Sequence, residues 1–203
     1  MPIDLSCVII AGGQARRFGS DKRRLRLWGE AGPTLLEHTL AVAQTVCAQV
    51  VVSLNDPSAW PELGVPLVQD RYANAGPLAG IVAGMQHFAS EWTLVLAADL
   101  PLLATPFLAE LLAQPRHGLA VVPQIQAVDQ RHAGWEPLCA LYQRAALPYF
   151  EQALAAGQHQ LIRIIAQLPP QIWPIASASP WLQCLHNLNR LDDMQQLAAF
   201  KVL

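Results

Sequence analysis

Apolar runs of strand length alternate with helical patterns from the beginning of the chain to about Ile125. LSCVII (Leu5 to Ile10), VVVSL (Val50 to Leu54), PLVQD (Pro66 to Asp70), WTLVLAAD (Trp92 to Asp99) and LAVVPQI (Leu119 to Ile125) read as strands. Their continuous rather than alternating apolar character predicts parallel strands covered on both faces. Between the first two, TLLEHTLAVAQTVCAQ sets Leu36, Leu40, Ala43 and Cys47 on one helical face, and Thr34 with Glu37 forms a capping box behind Pro33. A second helix is expected after Gly80. A third is expected from Thr105, an N-cap followed by Pro106 in the first helical position. The rhythm of strand, helix, strand predicts βαβ units with right-handed crossovers.

Beyond Ile125 the rhythm is irregular. A polar loop runs to Trp135, followed by the apolar PLCALYQ (Pro137 to Gln143) and a helical stretch ending near Gly157. LIRIIAQL (Leu161 to Leu168) reads as a short helix, and QIWPIA (Gln171 to Ala176) as a strand that Pro174 confines to an edge. With no repeat or linker, the pattern predicts a single α/β domain over residues 1–203. It is Rossmann-like, a mostly parallel sheet with helices on both faces.

Composition supports a buried sheet: 53% of residues are hydrophobic and only 14% are charged, against ~25% charged in an average soluble domain. The long apolar stretch from Leu94 to Ala113 is divided by Asp99, Pro101, Pro106 and Glu110 into pieces too short to span ~30 Å of hydrocarbon. Asp4 stands where a signal peptide would be basic. A soluble cytoplasmic protein with no membrane partner is expected. Cys7, Cys47, Cys139 and Cys184 are far apart, have no metal-ligand spacing and read as buried thiols.

Charge changes the picture. The chain's net charge is −2, yet Arg16, Arg17, Lys22, Arg23, Arg24 and Arg26 crowd into one short stretch. That concentration points to a local anionic ligand, whereas a nucleic-acid surface would shift the whole domain and bring aromatic platforms with it. Just upstream, a buried strand ends in Ala11-Gly12-Gly13, whose amides can form an anion-binding concavity beside Arg16, Arg17 and Lys22, a cradle suited to a triphosphate. Neither G-x-x-x-x-G-K-[ST] nor G-x-G-x-x-G is present. Arg23, Arg24 and Arg26 read as a solvated basic face.

Two further features carry chemistry. Gly76, Gly80 and Gly84, spaced by four, line one side of a helix start and would admit a ligand or a neighbouring helix closely. Asp99 ends an apolar strand, where a carboxylate must be solvated, hydrogen-bonded or paired with a cation. Magnesium held by one or two carboxylates plus substrate phosphates is one solution, and capping of the next turn is the other.

IAGGQARRFGSDK, GPLAG, AADLP and the late NLN, in this order and spacing, resemble the molybdenum cofactor guanylyltransferases of the nucleotidyltransferase-A superfamily from Val8 to about Leu197. The resemblance implies a fold of the nucleotide-diphospho-sugar transferase type, with residues 1–125 binding nucleotide and 126–203 facing the acceptor. It implies that the terminal phosphate of molybdopterin attacks the α-phosphorus of GTP, with Mg2+ bridging the phosphates and pyrophosphate leaving. By position, Ile10, Ala11, Gly12 and Gly13 would contact guanine and phosphates, Arg17 and Lys22 would neutralise the triphosphate, and Asp99 would hold Mg2+. Asp70 would be a nucleotide-binding carboxylate. Gly76, Leu78 and Gly80 would build the base and ribose pocket, and Asn187 and Asn189 would face molybdopterin.

The chain departs from the family in carrying Ser53 where an Asn is usual on the second strand, with Asn55 close behind. It also carries NLNRL in place of N-x-N-T-P, so that Asn189 is equally placed to cap the last helix. By the same resemblance, the Ala11-Gly12-Gly13 loop leans toward guanylyl transfer, since related enzymes that transfer other nucleotides more often carry LAAG-type loops. Transfer of CMP or another nucleotide, and a non-catalytic nucleotide-binding module, are the alternatives. Other molybdenum-cofactor biosynthesis proteins fit as partners of such an enzyme.

Overall fold

A computed structural model describes residues 4–12, 21–69, 75–126 and 134–188. They build one seven-stranded sheet in the order β3-β2-β1-β4-β6-β5-β7. The strands are β1 (Leu5–Ile10), β2 (Gln49–Leu54), β3 (Leu67–Gln69), β4 (Trp92–Ala97), β5 (Ala120–Ile125), β6 (Cys139–Gln143) and β7 (Gln171–Ile175). The helices are α1 (Leu35–Gln44), α2 (Pro77–His87), α3 (Thr105–Ala113), α4 (Leu147–Ala155) and α5 (Leu161–Ile165). Among the described residues no helix is long and apolar enough to cross a membrane.

The period of two along each strand sorts the core. Cys7, Ile9, Leu94 and Leu96 point to one face, where they meet Leu36, Leu40 and Ala43 of α1 and Phe107, Leu108 and Leu111 of α3. Val8, Ile10 and Val95 point to the other, against Leu78, Ile81, Val82 and Met85 of α2, Phe150 and Leu154 of α4, and Ile164 of α5. Helices therefore cover both faces, as the continuous apolar strands predict.

Parallel pairing is not universal. β1 pairs parallel with both β2 and β4, β2 with β3, and β5 with β7. β6, however, runs antiparallel to both β4 and β5. Hydropathy cannot distinguish these cases, because a strand covered on both faces is apolar whichever way it runs. Pro174 sits on β7, the edge strand, as expected.

The helix starts correct two expectations. The capping box at α1 forms, with Thr34 Oγ1 accepting from the Glu37 amide at 3.2 Å and Glu37 Oε2 from the Thr34 amide at 2.7 Å. α3, by contrast, is capped by Ala104 rather than Thr105. Thr105 is already helical, and its hydroxyl bonds that of Thr45 at 2.9 Å. α2 begins at Pro77 rather than after Gly80, with Gly76 as N-cap at φ 64° and ψ −153°, a conformation open essentially only to glycine.

Gly80 and Gly84 bring α2 onto the sheet, not onto a ligand or another helix. A Cβ on Gly80 would lie 2.8 Å from Ser53 Oγ and 3.2 Å from Ile10 Cδ1, and one on Gly84 would lie 2.2 Å from Val8 Cγ2. Ile10 ends β1 and Ser53 is the next-to-last residue of β2, while Val8 lies earlier, so α2 starts near the carboxyl edge of the sheet and descends. Gly84→Ala is expected to destabilise the protein by about 1–3 kcal/mol through overpacking. In urea unfolding the midpoint should fall with an unchanged slope.

Candidate active site

β1 lies at the point where the strand order reverses, flanked by β2 on one side and β4 on the other. In open α/β sheets ligands bind outside the carboxyl ends of the strands at such a point. Three chain exits meet there. The β1 ladder runs to its last possible rung: the Ala98 amide donates to the Ile10 carbonyl at 3.1 Å and the Ala11 amide to the Ser53 carbonyl at 2.9 Å. The Ala11 carbonyl takes Arg23 Nη1 at 2.5 Å. The Gly12 N–H is the first amide past β1 that meets no acceptor among the described residues.

Lys22 opens the short 3₁₀ turn Lys22–Arg24, which Asp21 caps by accepting the Arg23 amide at 3.0 Å. A 3₁₀ turn advances about 120° per residue, so its three cations diverge. Lys22 Nζ reaches Asp99 Oδ2 at 2.8 Å and the Leu188 carbonyl at 3.3 Å. Arg23 turns to Asp21 and Ala11. Arg24 lies over the Trp60 ring, 3.9 Å from its centroid, and bonds Glu62 and the Ala59 carbonyl. Arg26 donates to the Gly32 carbonyl at 2.7 Å. The face expected to be merely solvated is thus a set of individually anchored cations.

Asp99 lies two residues beyond the end of β4, and no helix-capping bond from its carboxylate is present among the described residues. Leu188, whose carbonyl accepts from Lys22, is tied to Asp99 as well: its amide donates to the Asp99 carbonyl at 2.9 Å. Leu27, Leu35, Leu102 and Leu188 form a small apolar cluster joining the basic turn, the segment after Asp99 and the end of the described chain. Both members of the ion pair keep 24% side-chain exposure, open enough for a ligand to reach. Asn187, beside Leu188, is brought to the same place and is partly buried.

Other expected site residues fall differently. Ser53 and Leu78 are buried, Ile10 and Ala11 nearly so, and Gly80 faces Ser53 and Ile10 rather than open space. These five shape the edge from within the core. Gly76 is exposed at the start of α2. Gly13, Arg17, Asp70 and Asn189 lie outside the described residues, as does Arg16.

A carboxylate not anticipated from the sequence joins the site. Leu96 lies opposite Cys139, and the Ala97 amide bonds the Leu138 carbonyl at 2.6 Å, so the β4 and β6 register carries Glu136 to the Asp99 edge. The Glu136 amide is fixed to the Pro123 carbonyl at 3.0 Å. Burial, helped by the negative charge of Asp99, pushes the Glu136 carboxyl up to about 7. The available signal was WEPLCALY, an ionisable residue abutting a buried strand as Asp99 does.

The profile of the MobA-like NTP transferase domain matches residues 7–172. The chain belongs to this family. It is 40% identical over 208 residues to a protein of Chloroflexus aggregans named as a probable molybdenum cofactor guanylyltransferase, covering 98% of this chain and 97% of that one. It is 30% identical to the molybdenum cofactor guanylyltransferase of Pseudomonas putida, covering 93% of this chain and 96% of the relative. Among solved structures, molybdopterin-guanine dinucleotide biosynthesis protein A from Archaeoglobus fulgidus superimposes with a TM-score of 0.75 at 23% identity, over 94% of this chain and 95% of that one. The 2-C-methyl-D-erythritol 4-phosphate cytidylyltransferase of Thermus thermophilus shares the fold at a TM-score of 0.69 and 20% identity, over 97% and 98% of the two chains.

Glu136 yields a signed pH prediction for the ligand-free, metal-free protein. Its folded value of about 7 exceeds the ordinary 4.5, so between these values the native state holds a proton that the unfolded chain releases, and stability falls as pH rises. Glu136→Gln should remove this loss, melting a few degrees higher than wild type at about pH 8 and close to it at about pH 4.5. Thermal melts across this range in EDTA test it. An unchanged pH slope would place the Glu136 carboxyl in water.

Proposed function

We propose that this member of the MobA-like NTP transferase family transfers GMP from GTP to the terminal phosphate of molybdenum-molybdopterin, giving the guanine dinucleotide cofactor and pyrophosphate. The observation that carries this reading is the Lys22 and Asp99 pair at the switch point, 2.8 Å apart and open to solvent, in a chain aligned almost end to end with guanylyltransferases. A phosphate oxygen of the acceptor forms a bond to the α-phosphorus as the bond to the β-phosphate bridging oxygen breaks, and the pyrophosphate carries away the electron pair. Such transfers need positioned charge more than covalent help from the protein.

Lys22 supplies that charge as a mobile ammonium. In the free protein it neutralises Asp99, and on nucleotide arrival it turns to the phosphates. The Gly12 N–H offers a neutral donor at the end of β1. We assign Gly13 and Arg17 to the same phosphates and Asp70 to the nucleotide. Gly76 contributes exposed backbone at the start of α2, and Ser53, Leu78 and Gly80 set the depth of the pocket. Asn187 and Asn189 are assigned to the pterin, whose mixed donor and acceptor edge suits side-chain amides. Residues 1–125 then hold nucleotide and 126–203 face the acceptor.

Mg2+ fits the residue present: Asp99 offers a hard, partly exposed carboxylate, and Mg2+ is commonly held by one or two carboxylates with substrate phosphates and water completing its shell. When bound by Asp99, the ion would neutralise charge developing on the transferred and leaving phosphates. Asp99 in turn needs a second cation once Lys22 has moved away.

Lys22→Ala should lower turnover by about one to two decades, the worth of one charge-assisted contact, with a melting temperature near wild type. Asp99→Asn should lower turnover and raise the Mg2+ concentration needed for half-maximal rate, while GTP affinity without metal holds or improves. A pyrophosphate-release assay with GTP, CTP, ATP and UTP checks the base. Faster turnover with CTP would overturn guanylyl transfer, and nucleotide binding without pyrophosphate release would indicate a non-catalytic module.

A further inference from the structure

The Arg23 side chain is bound on three sides yet belongs to none of the phosphate ligands expected above. Nε and Nη2 grip the two carboxylate oxygens of Asp21 at 2.7 and 2.6 Å, Nη1 donates to the Ala11 carbonyl at 2.5 Å, and the guanidinium carbon lies 5.2 Å from the Trp60 ring centroid. The fork is 19% exposed and the Asp21 carboxylate 28%. Although burial raises Asp21, the hydrogen bonds from Arg23 hold its carboxyl below the ordinary range, so the pair stays ionised and closed at neutral pH.

The carbonyl that Arg23 holds belongs to the same peptide unit as the Gly12 N–H. In a planar trans peptide these two groups point in opposite directions, and no cis peptide is present among the described residues. Fixing the Ala11 oxygen toward Arg23 therefore fixes the Gly12 N–H away from it. Ala11 is also anchored through its own amide to Ser53, but Gly12 has no Cβ to resist rotation of the following backbone. A flipped peptide would turn a carbonyl oxygen toward the place where a polyanion is to be bound.

We propose that Arg23 is a positioning residue that locks the Ala11–Gly12 peptide with its N–H facing the phosphates. Its charge is already matched by Asp21, so it acts through the amide and not as a phosphate ligand. This rests on the reading of the β1 exit as the phosphate cradle. Lysine cannot replace it: a single ammonium lacks the planar fork that satisfies Asp21 and Ala11 together.

The test measures GTP and guanosine affinities by NMR titration on the full-length protein, with melting temperatures, for wild type, Arg23→Lys, Arg23→Ala and Lys22→Ala. Arg23→Lys should weaken GTP about tenfold, as expected for one hydrogen bond to a charged group, and leave guanosine affinity unchanged with melting within about 2 °C of wild type. Arg23→Ala should weaken GTP at least as much, and if it fails to fold Arg23→Lys decides alone. Equal weakening of guanosine and GTP, with a lower melting temperature, would reduce Arg23 to a structural role. Normal GTP binding by Arg23→Lys alongside weakened binding by Lys22→Ala would overturn the lock and leave the cradle standing. Normal binding by both would remove the cradle and the lock with it.

Discussion

Lys22 and Asp99 stand 2.8 Å apart although 77 positions separate them along the chain, and Lys22 also reaches the Leu188 carbonyl, 166 positions away. Every other feature of the site is arranged around this contact. Asp99 is delivered by a fully buried strand and Lys22 by a turn capped by Asp21, while Leu188 is pinned by its amide to the Asp99 carbonyl. Four leucines seal the contact from beneath. A partly exposed pair of this kind contributes little to stability by itself. What it does is keep one charge of each sign, partly exposed, at the mouth of the sheet.

The positive charge concentrated between Arg16 and Arg26 is, among the described residues, apportioned rather than pooled. Lys22 alone of the described cations in the turn is paired across the mouth, and Arg23 is spent on a backbone carbonyl and its own cap. Arg24 stacks on Trp60 and Arg26 closes the turn at Gly32. Divergence follows from the three-residue period of the 3₁₀ turn. Counting cations in the sequence therefore overstates the number available to a ligand, since each carbonyl and ring at hand takes one.

The strands, the capped first helix and the acid at the end of β4 were legible because each is written locally: an apolar run, a Thr and Glu spaced by three, a charge at an apolar boundary. What escaped depends on distant neighbours. Glu136 matters because β6 pairs in reverse with β4, and strand direction leaves no mark on hydropathy. Gly80 and Gly84 look the same in sequence whether they face a ligand or Val8 and Ser53. Thr105 carries the signature of a cap but finds Thr45 within reach instead.

Reversal of β6 has a consequence for how the two halves of the protein can vary. β5 runs alongside β6 in the opposite sense, so both the end of β5 and the beginning of β6 stand at the same rim as Asp99. Segments joining parallel strands must cross the sheet and are bound to its helices, whereas a connection between antiparallel neighbours hangs from one rim and can be lengthened or shortened without disturbing a crossover. The connection between β5 and β6 is thus one whose length can change without disturbing a crossover.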